Sequence, residues 1–344
     1  MNVNRNLLVP TLFFLTAFAL GNCNLPPINL APATETPIPV IAPTEDATPL
    51  PPTGELGLAE NPLILALPPS ADTPEHINAA REIAAQFTER TGYVVVVIIP
   101  DSHAALVEAF EKGNAHIALL DPLAYARAYQ KDLVRAQYAL VNEGEVKYGA
   151  QFLAARRGGF KSYFNDGIGV NIADAGVALA QFSDKKPCWS EETSPSGYVV
   201  PLGVLNQARV QTRPAAFVGG QTTVVRSLYV GGICDFGATY IDARKFPSLE
   251  DEMPDLMEQV LVIWQTPAII PHEVLVFSTK MPQPMRDLFS GISPAIMQTD
   301  AGSAAFKTAY DIEEILPVND GDFNEFHIFI RESRLDLVTI LGEQ

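Results

Sequence analysis

Two α/β lobes, joined where the chain crosses between them twice, are the fold this sequence predicts. Three observations point there. An uninterrupted β-branched run, Tyr93-Val-Val-Val-Val-Ile-Ile, follows directly on an amphipathic helix pattern, as a strand buried on both faces beside parallel neighbours would. Alternation of strand and helix fills the region before Gly149 and resumes after it as a separate series. From Leu58 to Gln344 the chain is long enough for two units of ordinary domain size, and 47% of the whole sequence is hydrophobic.

At the N-terminus, Arg5 is followed by an apolar run from Leu7 to Leu20, the length of an export signal and short for a transmembrane span. Leu20-Gly21-Asn22-Cys23 resembles a lipobox, with Cys23 as the lipidated residue; simple secretion or an uncleaved anchor is the alternative. From Asn24 to Thr53 prolines alternate with Thr, Glu and Ala, without an aromatic residue or a hydrophobic period, so this stretch buries too little to fold. Residues 1–23 are therefore expected to be a signal, and 24–57 a tether reaching on the order of 90 Å in polyproline form.

Forty acidic against 23 basic side chains leave a net charge of −17, which repels a phosphate backbone and excludes nucleic acid as the expected partner. A small anion is not excluded, because local donors bind it. With Cys23 set aside, Cys188 and Cys234 remain; in an exported protein they are expected to form a disulfide, two buried thiols being the alternative. No Cys/His spacing suits zinc, and neither a metal nor a cofactor is expected.

Along the folded region, Asn61–Pro68 reads as a short strand. Asp72 or Thr73 then caps a helix through Arg90, whose apolar residues Ile77, Ala80, Ile83, Ala84 and Phe87 fall three and four apart. Gly92 ends it. After the Tyr93 strand come a helix from Ser102 to Lys112, a strand Ile117–Leu120, and a helix opening at Asp121-Pro122, where the carboxylate caps and the proline suits the first position. Gly149–Ala155 is a strand into the second series, which takes in Gly167–Ala180, Val224–Val230 and Cys234–Ala238. Leu261–Trp264 and Glu273–Phe277 lead back. The expected division is 58–150 with 266–344 as the first lobe and 151–265 as the second.

The stretch Glu192-Thr-Ser-Pro-Ser-Gly-Tyr-Val-Val-Pro201 carries the functional reading. Ser194 and Ser196 offer hydroxyls, Gly197 lets a ligand approach the backbone, and the helix that follows has first-turn N–H groups free to face an oxyanion. A plain N-cap is the alternative. This stretch resembles the Ser-Thr-Ser-Gly-aromatic-x-x-Pro signature of the phosphate, phosphite and phosphonate substrate-binding proteins of ABC importers, except that Pro195 lacks the N–H and hydroxyl usual there. Further stretches resemble that family in order from Asn61 to Glu332. Glu111-Lys-Gly-Asn-Ala-His-Ile-Ala-Leu-Leu-Asp-Pro-Leu-Ala-Tyr places Tyr125 either at the cleft or packed in a helix. His103 and Tyr148 stand where the family has ligand-binding tyrosines. Gln221, in Phe217-Val-Gly-Gly-Gln, stands where a histidine is usual; Asp242 and Glu273, the latter in Trp264-Gln-Thr-Pro-Ala-Ile-Ile-Pro-His-Glu, stand at acidic contacts.

The resemblance implies a two-lobed periplasmic-binding-protein-like α/β fold, with parallel or mixed sheets and two hinge crossings. It also implies a monomeric lipoprotein that captures a small phosphorus oxyanion and hands it to an ABC permease, not an enzyme. Because such oxyanions keep a proton, Asp242 and Glu273 fit a protonated anion or a zwitterion. A surface-attached sensor or binder of another small molecule is one alternative. A serine hydrolase, with Ser194 or Ser196 as nucleophile and His272 as base, is another, but no Gly-x-Ser-x-Gly elbow supports it.

Overall fold

A computed structural model describes residues 55–342. The export signal, Cys23 and nearly all of the tether lie outside these residues. Two mixed sheets organise the chain. The first has the strand order Ile315–Pro317, Val134–Leu140, Val274–Ser278, Ile117–Leu120, Leu63–Ala66, Val95–Ile98. Its three strands nearest the Val95 edge are parallel, whereas Val274–Ser278, returning from the second lobe, inserts antiparallel to both neighbours. The second sheet runs Ala216–Phe217, Pro187–Trp189, Phe236–Tyr240, Ala150–Ala155, Val260–Gln265. Between the sheets, Lys147–Tyr148 pairs antiparallel with Ile270–Pro271, so the two crossings of the chain form a short ribbon at the hinge.

Local chemistry explains the helix starts. Thr73 accepts a hydrogen bond from the His76 N–H, Ser102 from the Ala105 N–H, and Asp121 from those of Leu123 and Ala124, each satisfying donors that the helix leaves free. Gly92 and Gly113 close the first two helices in the left-handed region, which costs a residue without a Cβ little. The disulfide Cys188–Cys234 is formed, with Cα atoms 5.5 Å apart and 46 residues of separation. A loop of that length corresponds to about 4 kcal/mol of lost unfolded-state entropy.

Two expectations are corrected. The strand Val95–Ile98 is not buried on both faces: it is the sheet edge, paired only with Leu63–Ala66, and Val96 is exposed. And residues 266–344 do not all belong to the first lobe. The helix Asn324–Ser333 packs on the second-lobe helix Val200–Gln207, where Asn206 Nδ2 donates to the carbonyls of Glu332 and Ser333 at 2.9 and 3.3 Å. At Gly203 a Cβ would stand 2.1 Å from the Phe329 carbonyl oxygen, so only glycine permits the approach. The final helix Leu337–Gly342 then returns to the first lobe, against helices His103–Lys112 and Pro122–Gln130. Among the described residues no helix is long and apolar enough to cross a membrane.

Candidate ligand-binding site

A cavity of about 1070 Å³ lies at the hinge, lined by residues of both lobes that include Tyr148, Ser194, Ser196, Gln221, Asp242 and Glu273. Its second-lobe wall is a knot of hydroxyls around one amide. Gln221 opens the helix Gln221–Val230 after Gly219 and Gly220, both in the positive-φ region, which turn the chain sharply into the cavity. Its Oε1 accepts from the Tyr240 N–H at 3.2 Å. That bond fixes the amide orientation and points Nε2 at Ser194 Oγ, 2.8 Å away, with Ser190 Oγ and Ser196 Oγ each at 3.5 Å.

The two serines differ. Ser194 Oγ accepts from the Gly197 N–H at 3.0 Å and so caps the turn Pro195–Val199, which leads into helix Val200–Gln207. Ser196 caps nothing; its hydroxyl lies near the Tyr148 phenol, on which it acts against the larger effect of burial. Burial raises the Tyr148 phenol above its ordinary value, so it remains a neutral donor. Its ring stacks on His272, centroids 5.0 Å apart, and burial lowers the His272 imidazole, keeping it neutral too. Among the described residues no hydrogen bond joins His272 to Ser194 or Ser196.

Four expected contacts sit elsewhere or are otherwise engaged. Gly197 is buried behind the wall, where a Cβ would stand 1.9 Å from Ser190 Oγ and its N–H already serves Ser194, so packing by itself requires glycine there. Tyr125 does not face the cleft. It is fully buried one turn into its helix, donating to Asp320 Oδ1 at 2.8 Å with its ring edge-on to Phe323. His103 lies in a smaller first-lobe cavity of about 320 Å³ with His76, Asp121 and Tyr310, its Nδ1 2.6 Å from Asp121 Oδ2. Only Glu273 lines both cavities.

Asp242 lines the main cavity, yet its carboxylate is spoken for. Oδ1 accepts from Arg244 Nε at 3.0 Å, the Arg244 N–H at 3.1 Å and Gln151 Nε2 at 2.8 Å, while Oδ2 accepts from Arg244 Nη2 at 2.7 Å. Burial pushes this carboxyl up, but the buried guanidinium and the amide outweigh it and hold it below its ordinary value. Sequence reasoning missed Arg244 and Ser190. Neither belongs to a motif; Arg244 becomes legible only as the cation two residues from an acid in a turn. Among the described residues no group of His, Cys, Asp and Glu is arranged to hold a metal ion.

Two lobes, a hinge of two crossings and a donor-lined cavity at their junction define a substrate-binding protein. The family model for the periplasmic phosphonate substrate-binding protein of ABC transporters matches residues 65–323, and the chain belongs to that family. Solved structures agree on the fold. XAC2383 from Xanthomonas citri, bound to ATP, superposes with a TM-score of 0.59 at 14% identity, over 79% of this chain and 98% of that one. The same protein bound to chloride gives 0.58 at 14% identity with the same coverage. PhnD1 from Prochlorococcus marinus in complex with methylphosphonate gives 0.49 at 13% identity, over 79% of this chain and 98% of that one. No curated protein matches the chain.

Proposed function

We propose that this protein captures a small phosphorus oxyanion (a phosphonate, phosphite or phosphate) in the hinge cavity and delivers it to an ABC permease. It acts as a monomer without catalysing a reaction. The observation that carries this reading is the Gln221 amide, held by the Tyr240 N–H so that its donor end meets Ser190, Ser194 and Ser196 beneath the Tyr148 phenol. All of these donors are neutral. An oxyanion bound by them keeps much of its own charge, and Glu273 on the facing wall accepts the proton that such an anion retains. Sulfate, which carries no proton at neutral pH, leaves two negative groups facing each other and is rejected.

Calorimetric titration against methylphosphonate, phosphite, phosphate and sulfate tests this. Ser196→Ala removes a hydrogen bond to a charged group and is expected to cost about 1.5–3 kcal/mol, roughly tenfold or more in affinity. If no phosphorus oxyanion binds, or if Ser196→Ala binds unchanged, the serine turn is a helix cap only. The export signal and Cys23 support attachment to the outer face of the membrane through a lipid, with the proline-rich stretch as spacer. Cys23→Ser is then expected to move the protein from the membrane fraction to the soluble fraction with its ligand affinity unchanged. Retention on membranes would place the anchor elsewhere.

A further inference from the structure

We propose that the ligand carries a neutral apolar or aromatic substituent, and that Ile241 and Phe246 form the wall against which this substituent packs. The inference rests on the oxyanion reading of the serine pocket and names the class of molecule attached to that oxyanion. A bare tetrahedral anion fills a small part of the unliganded cavity of about 1070 Å³, which is at the upper end of the range for organic ligands. Past the serines, the second-lobe wall continues through Tyr240, Ile241, Phe246 and Pro247.

Ile241 and Phe246 are 39% and 47% exposed, although both are large and apolar. Neither position is loose. Ile241 lies over the crossing strand, where a Cβ at Gly149 would come within 2.7 Å of Ile241 Cδ1. Phe246 leads directly into the helix that Pro247 opens. A pair of exposed apolar side chains inside a binding cavity is a surface on which a ligand group is desolvated.

Charge decides against an aminoalkyl group at this wall. Asp242 is the one carboxylate that the second lobe contributes to the cavity lining, and Arg244 closes on both its oxygens. The third guanidinium nitrogen, Nη1, donates to the Val260 carbonyl at 2.9 Å, so the pair is locked and carries no net charge. Lys245, next along the chain, also lines the cavity and offers a cation no partner. On the opposite side, Glu273 is taken up with the proton of the oxyanion, and Glu143 and Glu145 are exposed, where water screens what they offer a cation. What remains beside the serine pocket on this side is a neutral apolar face.

The test is a titration of the wild-type protein and Phe246→Ala with methylphosphonate, phenylphosphonate, ethylphosphonate and 2-aminoethylphosphonate. Phenylphosphonate is expected to bind roughly tenfold more tightly than methylphosphonate, through burial of the ring. Phe246→Ala is expected to erase that preference and leave methylphosphonate affinity within about twofold. 2-Aminoethylphosphonate is expected to bind no better than ethylphosphonate. Because Phe246 is half exposed, its replacement spares the fold, and methylphosphonate binding by the variant reports this directly. A preference for the amine overturns the inference, as does a phenyl ligand that gains nothing or a variant that weakens methyl and phenyl ligands equally; in each case methylphosphonate binding keeps the oxyanion reading. Failure of every phosphonate to bind overturns the oxyanion reading itself.

Discussion

Asp121 performs two tasks with one carboxylate. Its Oδ1 caps the helix Pro122–Gln130, and its Oδ2 faces His103 Nδ1 at 2.6 Å. The close contact with that carboxylate raises the His103 imidazole above its ordinary 6.5; desolvation opposes the rise and the carboxylate's charge assists it. His76, Glu273, Tyr310 and Asp311 line the same cavity, so the imidazole shares it with two further carboxylates, a phenol and one further imidazole. A histidine raised by folding stabilises fully below its unfolded value, and that contribution disappears as pH climbs through the folded value. His103→Gln should therefore lower the urea midpoint at pH 6 and change it far less at pH 9. An equal loss at both pH values would show that the charge of His103 contributes nothing. The same position shows how a residue's neighbours rewrite its role. In the sequence His103 stands at a ligand-contacting position, whereas in the fold its polar edge is turned to a helix cap.

Caps and turns were legible because they are local. Thr73, Ser102 and Asp121 each sit three residues or fewer from the N–H groups they satisfy, and no distant contact is needed to foresee the bond. Gln221 and the Ser194 turn were legible as a pair of motifs, although 25 residues or more separate Gln221 from the serines, because the family pattern carries their order. What could not be read depends on pairing across the chain. The strand Val95–Ile98 has the composition of a central strand, but only the sheet order reveals that nothing lies beyond it. Asp242 reads as a ligand contact until Arg244 folds back on it, a geometry set by the turn and by the Val260 carbonyl rather than by composition. Helix Asn324–Ser333 has an ordinary amphipathic pattern. That its apolar face meets the second lobe follows from Gly203 and Asn206, more than a hundred residues earlier.

That helix changes how the two lobes can move. It is hydrogen-bonded to the second lobe through Asn206, while on the first lobe its His327 ring stacks on Tyr129 with centroids 4.0 Å apart and an interplanar angle of 16°. Neither ring nitrogen of His327 has a hydrogen-bond partner, so this contact is ring on ring, and the directional hold on the first lobe lies before the helix, where Asp320 accepts from the Tyr125 hydroxyl and the Ala136 N–H. Ring faces slide more readily than paired hydrogen bonds break. Closure about the ribbon of Lys147–Tyr148 and Ile270–Pro271 should then carry the helix with the second lobe and shear it across Tyr129. X-ray scattering should show the radius of gyration falling when methylphosphonate saturates the wild-type protein. A disulfide between Tyr129→Cys and His327→Cys, its formation confirmed by mass spectrometry, should abolish that contraction and weaken binding. A link between Asn206→Cys and Glu332→Cys should leave both intact, because it joins parts that move together. Equal contraction in the two cross-linked proteins would mean that the helix does not take part in closure, and contraction lost in both would mean that it moves against each lobe.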